Sequence, residues 1–166
     1  VAQRLSELTG IALFHNHLVV DALLEKYKFG APEFVRLREA MWMTVFDTAA
    51  RAGQSLIFTF APEPTVEPNF PARVSTVVRD AGGEVKFVRL VVSRDEQERR
   101  IANPSRTQFR KLVSLELLRE LQPSFAMSEA EMPPADLVVD SEIDDPEMAS
   151  RRIAAAFGLA TAPTAS

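Results

Sequence analysis

Short, unbroken apolar runs alternate along this chain with longer amphipathic segments, and that alternation limits the folds open to it. Ile11-Ala12-Leu13-Phe14, Ser55–Phe60, Val85–Val92 and Asp136–Asp140 are runs of four to eight residues. They are too short for buried helices and fit buried strands. Continuous apolarity, in place of strict alternation, is what a parallel sheet covered on both faces produces.

The segments between the runs carry helix signals. Val1, Leu5 and Leu8 fall at i, i+4 and i+7, with Gly10 as a stop. The polar cluster His15-Asn16-His17 follows the first strand, and Leu18–Leu24 reads as a short helix. Pro32 opens the next helix, whose apolar face is read as Phe34, Leu37, Met41, Val45, Thr48 and Ala52, closed by Gly53. Asn69–Ala81 carries Val74, Val77 and Val78 and ends at Gly82-Gly83. Ser93 with Glu96 forms a capping box for a helix from about Arg94, broken by Asn103-Pro104-Ser105. A longer helix with Phe109, Leu112, Val113, Leu117 and Leu121 follows, and Pro123 to Pro134 reads as an irregular connection. Asp145-Pro146 starts the last helix, which ends near Gly158, and 160–166 reads as a frayed tail. No internal repeat occurs, so residues 1–159 are expected to form a single domain.

Composition removes several function classes. The chain has no cysteine, which excludes disulfides, thiolate metal sites and cysteine nucleophiles. Its two histidines, His15 and His17, have no further His or Cys to complete a zinc set. A net charge of −4 argues against a generally basic nucleic-acid surface. Trp42, beside Met41 in an amphipathic helix, is expected to pack and not to stack on bases. No apolar run reaches the roughly 18–20 residues that span a bilayer, and no signal peptide is visible, so a cytoplasmic setting without nucleic-acid or membrane partners is expected.

The succession of these features resembles the P-loop kinases of the shikimate kinase, gluconate kinase and adenylate kinase group. The likeness lies in the order of four elements. A helix leads to a strand ending in His15-Asn16-His17, and a charged helical hairpin follows. Val85–Val92 then runs into Ser93-Arg94-Asp95-Glu96-Gln97-Glu98-Arg99-Arg100, and Ala135–Ser141 leads to the helix at Asp145-Pro146-Glu147. It is most similar to an uncharacterised shikimate-kinase-like, AAA-type branch with a His-Asn-His cluster after its second strand. The resemblance implies a three-layer α/β/α domain with a mostly parallel sheet, substrate-binding helices over about 17–53 and an arginine-rich lid over about 99–111. The group's GxxxxGK[ST] loop does not occur in these residues, nor does the strand that precedes it in the middle of the sheet. Val1 lies inside a helical pattern with no cap before it, which points to a natural polypeptide that starts earlier.

The implied activity is ATP- and Mg²⁺-dependent phosphoryl transfer to a hydroxyl of a small molecule. Such transfer needs positioning and charge stabilisation more than covalent chemistry, and guanidinium groups suit phosphate oxygens. The resemblance assigns Arg100 and Arg106 to the phosphates, with Arg110 and Lys111 behind them. The plainer alternative for this region, Arg99 included, is a solvated helix face paired with Glu96 and Glu98. His17 and Asn16 are candidates for activating or orienting the acceptor, with Asp21 the nearest carboxylate. Either histidine is alternatively a helix cap. Arg38 is a candidate for an acidic acceptor, or alternatively an intrahelical ion pair of the kind open to Glu33 and Arg36. Thr59 falls near the expected phosphate site, where no aspartate is available for Mg²⁺. Asp140 and Ser141 correspond to the segment that contacts adenine and ribose, or simply cap a turn. A nucleotide-binding protein without efficient catalysis and a non-catalytic interaction domain are the other readings. Sugars, shikimate-like acids, nucleosides and antibiotics all remain open as acceptors, and the oligomeric state is not legible.

Overall fold

Four short strands and seven helices occur among the described residues, 1–101 and 114–161 of a computed structural model. Their order is α1 (Ala2–Thr9), β1 (Ala12–His15), α2 (Asn16–Leu24), α3 (Pro32–Arg51), β2 (Leu56–Thr59), α4 (Phe70–Asp80), β3 (Val88–Val91), α5 (Arg94–Ile101), α6 (Leu115–Ala130), β4 (Leu137–Asp140) and α7 (Pro146–Ala156). All four apolar runs are therefore strands. They pair in parallel, β1 with β2 and β3 with β4, so each pair is joined through intervening helices as parallel pairing requires.

The single sheet expected from the sequence is not what forms. The strands make two separate two-stranded sheets, and no described strand stands between β2 and β3. The pairs nevertheless share a core. Ile57 of β2, Val88 of β3 and Leu137 of β4 all pack against one buried cluster made of Leu5 of α1, Val139 of β4 and Ala149, Ile153 and Ala154 of α7. Ser6 and Gly10 make the tight turn from α1 into β1. Gly10 has φ 71, in the left-handed region that a side chain disfavours, and its N–H donates to Ser6 O at 2.8 Å.

The opposite face of β1–β2 carries an aromatic core. Phe58 lies 5.0 Å from Phe46 and 5.4 Å from both Phe14 and Trp42, measured between ring centres. Phe34, Phe70 and Val74 complete it from α3 and α4. Burying each such side chain contributes about 1.5–3 kcal/mol. Trp42 is 1% exposed, consistent with packing.

Three local expectations need correction. The buried face of α3 is Phe34, Arg38, Trp42 and Phe46, an i, i+4, i+8, i+12 row, with Glu39 beside it. Met41, assigned to that face from the sequence, is 42% exposed. The row turns inward because three aromatic rings outweigh the cost of bringing Arg38 with them. Next, α6 runs through Pro123 instead of ending before it. Proline costs a helix interior about 3 kcal/mol. The strong helix formers on both sides and the Ser114 cap, whose hydroxyl accepts from Leu117 N at 3.2 Å, favour the continuous helix. The expected turns of this helix at Phe109, Leu112 and Val113 lie outside the described residues. Finally, β3 starts at Val88 and not Val85, because its partner β4 begins only at Leu137. Asp136 instead receives the Phe87 N–H on its side chain, at 2.7 Å.

Asp145 caps α7, accepting from Met148 N at 2.8 Å, with Pro146 in the first helical position. Asp145→Ala is expected to cost about 1 kcal/mol, read as a fall of about 2–4 °C in thermal midpoint. Asp145→Asn should keep most of that. Among the described residues, no helix is long and apolar enough to cross a membrane.

Candidate functional site at the strand ends

Of the polar residues singled out from the sequence, Asn16, His17, Asp21 and Thr59 follow or end β1 and β2, and Arg100, Asp140 and Ser141 gather at the carboxyl end of β3–β4. Open parallel sheets hold ligands at such ends.

At the β1–β2 end, His15 and Thr59 are register partners and the last residues of their strands. Side chains alternate across a strand. His15 and Thr59 therefore share the face of Leu13 and Ile57, opposite the aromatic core reached by Phe14 and Phe58. His15 Nδ1 lies 3.0 Å from Thr59 Oγ1. His15 occupies the N-cap position of α2 without making a side-chain cap bond. Asn16 and His17 form the first turn of that helix, earlier than the expected start at Leu18, and both are half-buried. Asp21 lies one turn further along. Its Oδ1 is buried and has no hydrogen-bond partner among the described residues. Sequence reasoning placed Asn16, His17 and Thr59 here and passed over His15. The apolar runs alone, Ile11–Phe14 and Ser55–Phe60, do not align His15 with Thr59, because that pairing follows from the strand register.

At the β3–β4 end, Arg100 and Ser141 meet directly. Arg100 Nη1 donates to Ser141 Oγ at 3.1 Å and Nη2 to Ser141 O at 2.7 Å, while Nε donates to Glu96 at 2.5 Å. Ser141 Oγ donates in turn to Val91 O at 3.0 Å. Asp140 Oδ1 accepts from Glu142 N at 2.9 Å, so Asp140 organises the turn after β4. Glu96 is 8% exposed and pairs with both Arg99 and Arg100, and Glu98 pairs with Arg94 and Arg119. These are the pairings of the plainer alternative. Even so, Arg100 reaches past its own helix to the β4–α7 turn. Arg106, Arg110 and Lys111 lie outside the described residues.

A second strap joins the same two loops. Glu142 accepts from Ser93 N at 2.7 Å. That backbone bond, helped by the Ser93 side chain and the Arg100 charge, holds the Glu142 carboxyl below its ordinary range. A depressed carboxylate adds stability above the usual glutamate value and loses it as pH falls through the lower folded value. Wild type should thus be more stable than Glu142→Gln at neutral pH, with the difference shrinking as pH falls through and below the ordinary glutamate range. Urea midpoints at several pH values measure this.

Arg38 belongs to neither group. It is 1% exposed, and its guanidinium bonds not along its own helix but to the β2–α4 loop. It donates to Glu63 Oε1 at 2.7 Å, Thr65 Oγ1 at 3.0 Å and Thr65 O at 2.6 Å. Arg36, by contrast, is exposed. A shallow groove of about 290 Å³ between Gly30 and the Pro64–Pro68 loop runs over Thr65, with Arg38 behind it.

For a nucleotide, the described residues supply the Arg100 guanidinium and the Asp140–Ser141 turn. For Mg²⁺, the ends of β1 and β2 offer the Thr59 hydroxyl and no carboxylate. Among the described residues no three His, Asp or Glu side chains cluster as a metal site.

No protein-family model matches the sequence, and no curated protein matches it. Among solved structures, the chain is similar to a tunicamycin resistance protein of Deinococcus radiodurans. The TM-score is 0.59 at 18% identity, over 98% of this chain and 92% of that one. At that identity the likeness concerns architecture, and the chain shares the α/β fold of the Deinococcus protein.

Proposed function

We propose that this chain is a kinase-type domain that transfers a phosphoryl group from ATP to a hydroxyl of a small molecule. The observation that carries the reading is the gathering of polar side chains at the carboxyl ends of both parallel strand pairs. A guanidinium and a turn sit at the β3–β4 end, and a hydroxyl, an imidazole and an amide at the β1–β2 end. In this reading the nucleotide lies against Arg100, Asp140 and Ser141, with Arg106, Arg110 and Lys111 as further cations. The acceptor lies against Asn16, His17 and Thr59. Arg38, held within the fold, supports the acceptor side from behind. Mg²⁺, where bound, neutralises phosphate charge and is held through phosphates and water. The described side chains alone do not build its site.

Calorimetric titration with ATP, followed by a phosphotransfer screen, tests the reading. Acceptors should include a sugar, a shikimate-like acid, a nucleoside and, given the name of the Deinococcus protein, tunicamycin. Binding together with transfer to one of them is expected. One observation favours a second reading, a nucleotide-binding protein with weakened catalysis: neither β1 nor β2 ends in a carboxylate, and Asp21 stands a turn away. Binding without transfer to any acceptor selects that reading. Absence of both leaves an interaction domain.

A further inference from the structure

Resting on the phosphotransferase reading, we propose that His15 and Thr59 form a proton relay for the acceptor hydroxyl, with Thr59 touching the substrate and His15 acting through it. Three observations point there. The two side chains are 3.0 Å apart, they end adjacent parallel strands in register, and they share the face of the pair opposite the aromatic core. The His15 ring is thus held at a strand end by a bond to Nδ1 and makes no cap bond to α2.

The polarity of that bond decides its use, and heavy-atom positions alone do not fix it. A hydroxyl has one donor and two acceptor sites. If Nδ1–H donates to Thr59, the pair offers a substrate a proton and takes none away. If Thr59 donates to Nδ1, the lone pairs of Oγ1 are left to accept from a substrate hydroxyl. In that arrangement the Nδ1 lone pair of a neutral imidazole is the acceptor. In the step, the substrate O–H proton passes to Thr59 Oγ1 while the Thr59 proton passes to His15 Nδ1. The substrate oxygen forms its bond to the γ-phosphorus of ATP, and the bond from that phosphorus to the bridging oxygen breaks, releasing ADP. The proton ends on imidazolium, and atoms and charge balance. This also supplies a proton acceptor at a site where neither β1 nor β2 ends in a carboxylate.

Long-range ¹H–¹⁵N spectra of the folded chain read the polarity directly, with Thr59→Val assigning the effect. The relay expects His15 protonated on Nε2, and an Nδ1 resonance that moves in Thr59→Val and stays in Thr59→Ser. An Nδ1–H tautomer, or a resonance indifferent to Thr59→Val, overturns the relay whatever the turnover. With the acceptor found by the screen, Thr59→Val and His15→Asn should each lower kcat about 100-fold, within the usual range for general-base groups, with KM little changed. The double variant should be no worse than either single one, and Thr59→Ser should stay within about threefold of wild type. His15→Asn can keep a hydrogen bond to Thr59 but cannot take the proton. Full turnover in that variant would overturn the relay, as would a loss confined to Asp21→Asn. Circular dichroism confirms that each variant is folded, and His15→Gln replaces His15→Asn if the latter is not. A chain with the Nε2–H tautomer in place and no transfer to any acceptor instead refutes the phosphotransferase reading, and the catalytic part of the relay with it.

Discussion

Arg38→Ala is expected to destabilise the chain by about 3–5 kcal/mol, the range for removing one partner of a buried ion pair. The guanidinium lies 5.3 Å from the Phe34 ring centre and 4.9 Å from that of Trp42, its i−4 and i+4 neighbours on α3. Truncation empties the space between those rings. It also leaves Glu63, whose side chain is only 13% exposed, without its cation, and Thr65 O without its donor. At about 2–4 °C per kcal/mol for a domain of this size, the thermal midpoint should fall by about 10 °C. Arg38→Lys keeps the charge but neither the fork nor the planar stack, so an intermediate loss is expected. Removing both charges, as in Arg38→Met with Glu63→Gln, should recover much of the loss, because the isolated carboxylate is the costly species. Trp42 is the sole tryptophan, so its fluorescence reports on this site alone and should shift to the red in Arg38→Ala. If the variant instead melts with wild type and loses only acceptor affinity, the structural role is wrong and Arg38 serves the substrate, as the family resemblance implies.

Arg38 also shows where the sequence was legible and where it was not. Short apolar runs read correctly as strands from their length and their flanking breakers, although the covering of both faces that such runs imply is incomplete, since Leu90 and Val138 are 48% and 47% exposed. Runs of that kind do not say which strand pairs with which, so the division into β1–β2 and β3–β4 could not be read. The face of α3 was mis-set by excluding charged positions from the apolar stripe. Phe34, Arg38, Trp42 and Phe46 at a spacing of four were in plain view, and an arginine flanked by aromatic residues at i−4 and i+4 is placed to stack on them. At the strand ends, the sequence offered Asn16, His17 and Thr59 as candidates from their places near the ends of apolar runs, and Arg100, Asp140 and Ser141 from the family resemblance. It could not show that Arg100 bonds to Ser141, a contact across 41 residues, or that His15 faces Thr59 across 44. Such pairings depend on strand register, and register depends on the whole of the packing. Pro123 misled for the opposite reason: a strong local signal was overridden by the helix formers around it.

The second large effect is expected at the other member of that stack. Trp42 meets Phe58, Phe60 and Phe70 at ring-centre distances of 5.4, 6.3 and 5.3 Å, and it forms one wall of the Arg38 site. Trp42→Ala should cost about 3–5 kcal/mol, as large-to-small changes at aromatic core positions do. That is a large share of a total stability of about 5–15 kcal/mol. Trp42→Phe tests which part of the side chain matters. The indole Nε1 is buried and has no hydrogen-bond partner among the described residues. Phenylalanine therefore loses ring volume but also removes an unpaired donor, itself worth about 1–3 kcal/mol. The lost volume and the removed donor act in opposite directions, so Trp42→Phe is expected to cost well below the roughly 3–5 kcal/mol of Trp42→Ala. Urea unfolding followed by far-ultraviolet circular dichroism measures both variants without relying on the missing fluorophore. Arg38→Ala combined with Trp42→Ala should cost less than the two single losses added, since each removes the other's partner. Full additivity would mean that the guanidinium and the indole are neighbours without being energetically coupled. The stability carried by Arg38 would then rest on Glu63 and Thr65 alone.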